Sequence, residues 1–273
     1  MRSRIITVLW LVPLVVGVLS FTSPWPVFAT ALAVLFLGFR EINRMVGAPS
    51  RPPILGTILI FVGLWVELAP KGARYEIVAL LGGLAGLLVG SWSLVHFSLK
   101  HEINWGFMAT VRADLAGLWL AGPLLCLFDL HQRVSGAIPV DVRNPILLVL
   151  FPVWAGDSLA IFVGKAFGRH PLWPEISPKK TFEGAAGNLL AALAMGSLVG
   201  GWIGVGTNLG LACGAIAGTI GQGGDLFESW VKRTVGMKDS GDLLPGHGGL
   251  LDRVDSLLFT APAVSLLLYL ASR

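Results

Sequence analysis

The chain has 273 residues, of which 54% are hydrophobic and 13% charged, with a formal net charge of +4. Soluble domains carry about 25% charged residues, so this composition excludes an ordinary soluble domain and indicates a chain that lies largely within a bilayer. The basic residues cluster at the ends of apolar segments, which fits membrane topology and anionic lipid head groups better than a nucleic-acid groove, so no nucleic-acid partner is expected.

Apolar runs interrupted by charge or proline predict an all-α, polytopic integral membrane protein with about nine transmembrane helices. The runs lie near residues 5–21, 24–39, 54–70, 76–97, 113–128, 144–163, 185–205, 209–227 and 254–270. The first run also fits a secretory signal, because Arg2 and Arg4 give it a basic start. Its length, and the second run that follows at once, favour a membrane helix.

The distribution of lysine and arginine predicts the orientation of the helices. With a cytoplasmic N-terminus and nine helices, fifteen of the 20 lysines and arginines fall on the cytoplasmic side. This orientation predicts a multi-pass protein of the cell's inner (cytoplasmic) membrane. It places the polar stretch 229–255 in the cytoplasm, where soluble nucleotides are available.

Glycine and cysteine residues inside the apolar runs are interpreted as packing residues. Glycines such as Gly83 and Gly86 let helix backbones approach closely where burial of apolar surface cannot drive association. Cys126 and Cys213 lie far apart within apolar runs, which favours a packing role over a disulfide or a thiolate metal site.

The densest polar segment runs from Ser229 to Asp255, directly after Asp225. Glu228, Ser229, Lys232 and Arg233 follow Asp225 at spacings that place them on one face of a helix. An acid followed by cations on one wall predicts a metal ligand beside phosphate-binding groups. Intrahelical ion pairs with snorkelling cations are the alternative, although a carboxylate beside an apolar run is costly without a partner.

A second acidic group lies at the start of the last apolar run. Asp252 and Asp255 are three residues apart, so they share a helix face and can hold hard cations such as Mg²⁺. Arg253 lies between them and is predicted to point elsewhere, towards a lipid phosphate. The alternative is an ordinary helix start, where carboxylates are favoured in any case.

A glycine-rich turn, residues 245–249, precedes this acidic pair. It offers backbone N–H groups to an anion at a helix start. His247 within it is a candidate for phosphate contact or proton transfer, and a structural role is an equally good interpretation.

A third group combines Asp157, an acid within the sixth apolar run, with a short basic loop. Intramembrane acids are functional candidates by default. The loop residues Ser177, Lys179, Lys180 and Thr181 supply two hydroxyls and two cations suited to a triphosphate. They do not form a Walker A motif. A basic flank that sets membrane topology is the alternative interpretation.

The stretch 229–255 resembles the C-terminal signature of the phosphatidate cytidylyltransferases (CDP-diacylglycerol synthases). The matching positions are Ser229, Val231, Lys232, Arg233, Lys238, Asp239, Gly241, Leu244, Pro245, His247, Gly248, Gly249, Asp252, Arg253 and Asp255. The segments around Asp157 and 177–181 are also similar to the family's, so the resemblance covers roughly residues 150–260.

The resemblance implies conversion of CTP and phosphatidate to CDP-diacylglycerol and pyrophosphate, with Mg²⁺, a second ion such as K⁺, and a homodimer in the membrane. It implies that Asp225 and Asp252 hold the metal, with Asp255 as a further ligand. Candidate catalytic residues are Asp225, Asp252, Asp255, Lys238, Asp239 and His247. Candidate substrate-binding residues are Ser177, Lys179, Lys180, Thr181, Ser229, Lys232, Arg233, Arg253 and Asp157.

We accordingly divide the chain into residues 1–140, membrane helices for packing, dimerisation or lipid access, and residues 141–273, the catalytic membrane region. Two other interpretations stay open. A secondary transporter would couple Asp157 and Asp225 to ions, although no internal repeat is visible. A related lipid enzyme would be a CTP-dependent polyprenol kinase or a cytidylyltransferase acting on an ether-lipid phosphate.

Overall fold

The computed structural model describes residues 13–45, 47, 52–68, 75–99, 107–133, 141–243 and 248–272. Nearly all of the regular structure in these ranges is helical. The helices are α1 (Pro24–Met45), α2 (Ile54–Leu68), α3 (Tyr75–Leu99), α4 (Phe107–Gln132), α5 (Leu147–Phe167), α6 (Phe182–Ile203), α7 (Thr207–Ile216), α8 (Gln222–Thr234) and α9 (Leu251–Ala271). Residues 13–20 are also helical.

Six of the helices in the described ranges are long and apolar enough to cross a bilayer. They are Pro24–Met45, Ile77–His96, Ala113–Gln132, Leu147–Phe167, Phe182–Ile203 and Leu251–Ala271. A helix satisfies its own backbone hydrogen bonds, which lipid cannot do, so long apolar runs fold this way. The prediction of a multi-pass helical membrane protein is thereby confirmed. The count of nine spans and the cytoplasmic N-terminus stay predictions.

The predicted run 54–70 forms α2, Ile54–Leu68, and the predicted run 209–227 lies within residues 207–234, which are helical throughout. Inside the second stretch, α7 ends at Ile216 and a π-helical turn, Ala217–Gly221, precedes α8. Hydropathy does not detect such a change of hydrogen-bond pattern. Of the predicted run 5–21, residues 13–21 lie within the described ranges, and residues 13–20 of them are helical.

One part of the predicted loop between the sixth and seventh runs is a β-hairpin, so the fold departs from purely all-α there. Strand β1 (Pro171–Trp173) pairs antiparallel with β2 (Ser177–Thr181). Pairing satisfies backbone groups that a loop leaves open. Thr181 then caps α6, because its Oγ1 accepts a hydrogen bond from the Gly184 N–H at 3.1 Å.

The chain forms two compact units. The first contains Met1–Val142 and Val231–Val254, and the second contains Arg143–Trp230 and Asp255–Arg273. The predicted division into residues 1–140 and 141–273 assigns functional roles to the two parts, and it stays a prediction.

In the first unit, α3 and α4 pack at glycines. A Cβ added at Gly86 would stand 2.9 Å from Gly122 Cα, and one at Gly122 would stand 2.8 Å from Leu87 N while colliding with Gly83 O. The backbones therefore touch directly, which confirms the packing interpretation of these glycines. Cys126 lies in α4, and its free thiol is buried.

In the second unit, α5, α6 and α7 pack in the same manner. A Cβ at Gly196 of α6 would stand 2.8 Å from Gly214 N of α7, and one at Gly187 would meet Val163 of α5 at 2.8 Å. Cys213 is also buried with a free thiol, as predicted.

The glycine contact between α3 and α4 can be tested with Gly122→Ala. Alanine favours a helix over glycine by about 1 kcal/mol, but here its methyl group overpacks the interface, at a cost of about 1–3 kcal/mol. We expect a lower thermal-unfolding midpoint in detergent. The control is Gly17→Ala, in the helical residues 13–20, where a Cβ meets nothing within 4 Å. A midpoint for Gly122→Ala as high as that of Gly17→Ala would contradict the contact.

Candidate functional site

The start of α9 places Asp252 at the centre of a hydrogen-bonded turn in the first unit. Its Oδ2 accepts from the Gly249 N–H at 2.8 Å and from the Ser240 N–H at 3.1 Å. The first contact, three residues back along the chain, is one half of a capping box. Asp252 therefore helps to start its own helix while it binds the loop that follows α8.

Lys232, in the last turn of α8, completes the environment of Asp252. Its Nζ lies 2.5 Å from Asp252 Oδ1, and both side chains are only 8% exposed. Buried charges need a partner, because their desolvation costs several kcal/mol per ion, about the size of a domain's net stability. The prediction that α8 is helical through Lys232 is confirmed. Lys232 is a buried ion-pair partner in this geometry.

Glycines of the signature leave room for this carboxylate. Gly248 has φ +81°, a left-handed conformation that favours glycine, and a Cβ there would stand 2.7 Å from Asp252 Oδ2. Position 248 therefore requires glycine for two independent reasons, its left-handed backbone and the lack of space for a Cβ. His247, the candidate for phosphate contact or proton transfer, lies outside the described residues.

Asp225 is the corresponding carboxylate of the second unit. It lies in the first turn of α8 and forms an ion pair with Lys180 of β2, with the two side chains 27% and 30% exposed. Ser229 Oγ donates to Asp225 Oδ1 at 3.5 Å, across one helical turn as predicted. The second unit thus joins two segments that sequence spacing alone could not connect, the basic hairpin and α8.

Further carboxylates gather around Asp255 in the second unit. Asp225, Glu228 and Asp157 all lie within its electrostatic range. Gly224 permits this approach, because a Cβ there would stand 2.9 Å from the Asp255 carbonyl oxygen and 2.6 Å from the Phe259 ring. Glu228 is fully buried and Asp255 is partly buried. Negative charges brought together in this way favour a bound cation.

Asp157, the predicted intramembrane acid, has a polar partner on the neighbouring helix. Its Oδ1 accepts from Asn188 Nδ2 at 3.1 Å. Asn188 is buried, and a Cβ at Gly156 would stand 2.7 Å from its Oδ1. Gly156 therefore lets α5 and α6 bring this pair together.

The structure gives two of the other candidates a structural contact. Thr181 caps α6, and Arg233 donates from Nη1 to the Met237 carbonyl oxygen at 2.9 Å, beyond the end of α8. Ser177 is half-buried, and the exposed candidates are Asp157, Lys179, Arg233, Lys238, Asp239 and Arg253. Arg253 is exposed beside the buried side chain of Asp252. Its predicted contact with a lipid phosphate stays a prediction.

Each unit has carboxylates that fit a hard divalent cation, although neither has a preformed cage among its described residues. Within the described ranges no three His, Cys, Asp or Glu side chains have the arrangement of a metal site. Mg²⁺ is usually held by one or two carboxylates together with waters and substrate phosphates, so such a cage is not required. The carboxylates that fit are Asp225 and Asp255 in the second unit and Asp252 in the first.

Three residues that contact the candidate site were missed by sequence reasoning. Glu41 and Ser240 bind the turn that carries Asp252, and Asn188 binds Asp157. Glu41 follows an apolar run beside Arg40, where a charged residue is ordinary, so no local signal distinguishes it. Asn188 does carry a usable signal, because an amide within an apolar run needs a polar partner.

The buried pair predicts non-additive stability in the variants Lys232→Met, Asp252→Leu and the double variant. Each single change leaves one buried charge alone, at a cost of about 3–5 kcal/mol, whereas the double change leaves none. We expect the thermal-unfolding midpoint of the double variant to fall by less than the sum of the two singles.

The matched control for this cycle is a surface pair in the same unit. Arg44 Nη1 lies 3.5 Å from Asp242 Oδ2, and the side chains are 63% and 90% exposed. Such pairs contribute about 0–1 kcal/mol, so Arg44→Met and Asp242→Leu should be additive. Additivity at Lys232 and Asp252 as well would contradict the buried pair.

Comparison of the sequence with known proteins identifies a family. The sequence model of the cytidylyltransferase family matches residues 2–271. A protein named phosphatidate cytidylyltransferase from Staphylococcus aureus (strain COL) is 44% identical over 244 residues, covering 89% of this chain and 88% of the relative. Proteins of the same name from Bacillus subtilis (strain 168) and Brucella abortus biovar 1 (strain 9-941) are 31% and 39% identical.

Two of these three alignments are close to full length. The Bacillus subtilis match covers 100% of this chain and 99% of the relative, and the Brucella abortus match covers 78% and 70%. The similarity thus includes the N-terminal helices, beyond the signature at 229–255. The predicted resemblance and the predicted enzyme class, a CTP-dependent nucleotidyltransferase, are confirmed. The chain belongs to the cytidylyltransferase family.

Proposed function

We propose that this chain transfers the cytidylyl group of CTP to phosphatidate, forming CDP-diacylglycerol and pyrophosphate in phospholipid biosynthesis. The observation that carries the proposal is the near-full-length match to relatives named for this activity, with the signature intact. The two lysine–aspartate pairs, Lys180–Asp225 and Lys232–Asp252, support it, because each places a cation and a carboxylate together.

The reaction mainly requires that two polyanions be brought together. A phosphate oxygen of phosphatidate attacks the α-phosphorus of CTP, a new P–O bond forms, and the bond to the β-phosphate oxygen breaks to release pyrophosphate. Phosphate monoesters lose their second proton near pH 6, so the nucleophile is ionised at neutral pH. Catalysis then depends on positioning and on cations that oppose the charge of the phosphates.

The lysines of the two pairs are the residues best suited to that task. In the protein alone, Lys180 neutralises Asp225 and Lys232 neutralises Asp252. Lys180 is partly exposed and would reach a phosphate oxygen most readily, whereas Lys232 would first have to leave its buried partner. Exposed Lys179, Lys238 and Arg253 add positive charge around the substrates, with Arg233 and the hydroxyls of Ser177, Thr181 and Ser229 as further phosphate contacts.

We propose Asp225, Asp252 and Asp255 as ligands of Mg²⁺, with Asp239 and His247 in support and with a second ion such as K⁺. Bound Mg²⁺ would supply positive charge that stabilises the phosphates in the transition state. The carboxylates fit because they are hard oxygen donors, of which Mg²⁺ needs only one or two from the protein. Asp157 would hold polar substrate groups through its partner Asn188.

We further propose a homodimer in the inner membrane with the site on the cytoplasmic face. The excess of lysine and arginine on one side of the predicted topology supports this orientation. CTP would reach such a site from the cytoplasm, while the acyl chains of phosphatidate stay in lipid.

Pyrophosphate release by the purified protein, supplied with CTP, phosphatidate and Mg²⁺, tests the proposal. We expect release that requires both substrates and that falls by at least about 100-fold in Asp252→Ala, the size of effect typical for a lost electrostatic group in a site. Mass spectrometry of the lipid product would separate a CDP-lipid from a phosphorylated alcohol.

The matched control is Asp242→Ala, an aspartate of the same loop with a side chain 90% exposed, which should keep wild-type turnover. No release from folded wild-type protein, with K⁺ added and other lipid phosphates supplied, would overturn the proposed function.

A further inference from the structure

The first turn of α9 takes its hydrogen-bond acceptors from a distant part of the chain. The first N–H groups of any helix lack partners within the helix. Leu250 N–H and Leu251 N–H donate to Glu41, to Oε1 at 2.8 Å and to Oε2 at 2.9 Å. Glu41 belongs to α1, about two hundred residues earlier in sequence, and it is only 7% exposed.

Ser240 connects Glu41 to the candidate metal ligand Asp252. Its hydroxyl donates to Glu41 Oε2 at 3.0 Å, and its backbone N–H donates to Asp252 Oδ2 at 3.1 Å. Ser240 is fully buried. A displacement of Glu41 therefore reaches Asp252 by two routes, through Ser240 and through the backbone at the start of α9.

Two glycines of the signature region leave space for the Glu41 carboxylate. A Cβ at Gly241 would stand 2.7 Å from Glu41 Oε1, and a Cβ at Gly249 would stand 2.6 Å from Oε2. Both distances are shorter than real Cβ contacts allow. Positions 241 and 249 are therefore glycine because the Glu41 carboxylate fills the space beside them. Gly241, Gly249 and Glu41 pack closely together.

We propose that Glu41 is a positioning residue: its carboxylate holds Ser240 and the first turn of α9 so that the Asp252 carboxylate keeps a fixed direction. That Glu41 fixes the direction of the Asp252 carboxylate is argued from the hydrogen bonds alone. The consequence for Mg²⁺ binding rests on the proposed function. The proposal gives the N-terminal helix α1 a role in the chemistry of the C-terminal signature.

A role in stability alone is the competing explanation, because a buried carboxylate at a helix N-terminus is stabilising in any protein. The two explanations predict different Mg²⁺ requirements for variants that still fold. If Glu41 only stabilises, folded variants use Mg²⁺ as the wild type does. If Glu41 positions Asp252, folded variants need more Mg²⁺.

The first arm measures hydrogen exchange of the full-length, metal-free protein in detergent. Glu41→Gln keeps the shape of the side chain but replaces one acceptor oxygen with an NH₂ group, which faces N–H and O–H donors. We expect exchange to quicken about tenfold or more in peptides containing Leu250–Leu251, because their N–H groups lose an acceptor, and in peptides containing Ser240, because its N–H bond to Asp252 is no longer held in place. Asp242→Asn, at an exposed position of the same loop, should leave these rates unchanged.

The second arm measures the Mg²⁺ concentration that gives half-maximal pyrophosphate release. We expect it to rise about tenfold in Glu41→Gln, the effect of one charge-assisted hydrogen bond, while KM for phosphatidate changes little. Ser240→Ala removes only the hydroxyl contact and keeps the N–H bond to Asp252, so it should shift both readouts in the same direction by less. If Glu41→Gln fails to fold, Ser240→Ala decides.

Unchanged exchange at Ser240 in folded Glu41→Gln would overturn the proposal. So would quickened exchange with the wild-type Mg²⁺ dependence, since it would leave stability as the only role. An inactive wild-type protein would overturn the proposed function instead. Hydrogen exchange alone would then test whether Glu41 positions Asp252.

Discussion

A buried ion pair, Lys232 with Asp252, is the constraint on which the signature turn of this chain depends. A carboxylate with so little exposure is tolerated only when each oxygen has a donor. Lys232 supplies one, and the N–H groups of Gly249 and Ser240 supply the others. The glycine at position 248 is therefore a consequence of the space that this carboxylate needs.

In the second unit, too, a carboxylate has a cation as its partner, but its surroundings differ. There Asp225 pairs with Lys180, while Asp157, Glu228 and Asp255 lie near one another. Of the three proposed metal ligands, Asp225 and Asp252 each have a lysine partner in the protein alone, whereas Asp255 lies among other carboxylates. Lys180 is partly exposed and Lys232 is buried.

Sequence reasoning predicted those parts of the fold that depend on local composition. Long apolar runs such as 144–163 and 254–270 became α5 and α9, because a run of that length has no other low-energy structure in lipid. The π-helical turn 217–221 and the hairpin at 171–181 depend on contacts that hydropathy does not encode. They were accordingly not predicted.

For the site, spacing predicted what lies along one helix and missed what joins distant segments. The Asp225–Ser229 contact follows from the helical repeat. The contact between Lys180 and Asp225 was not predicted as a pair, because the two residues lie in different elements. Glu41 was missed altogether, since an acid at the end of an apolar run has the appearance of an ordinary flank.

Cytidylyl transfer to a lipid phosphate is the central claim, and the fate of labelled CTP tests it most directly. Purified wild-type protein would receive phosphatidate and CTP carrying radioactive phosphorus at either the α or the γ position. The account predicts label in the lipid from α-labelled CTP and label in pyrophosphate from γ-labelled CTP. Lipid labelled from the γ position would show a kinase, and unlabelled lipid in both cases would contradict nucleotidyl transfer.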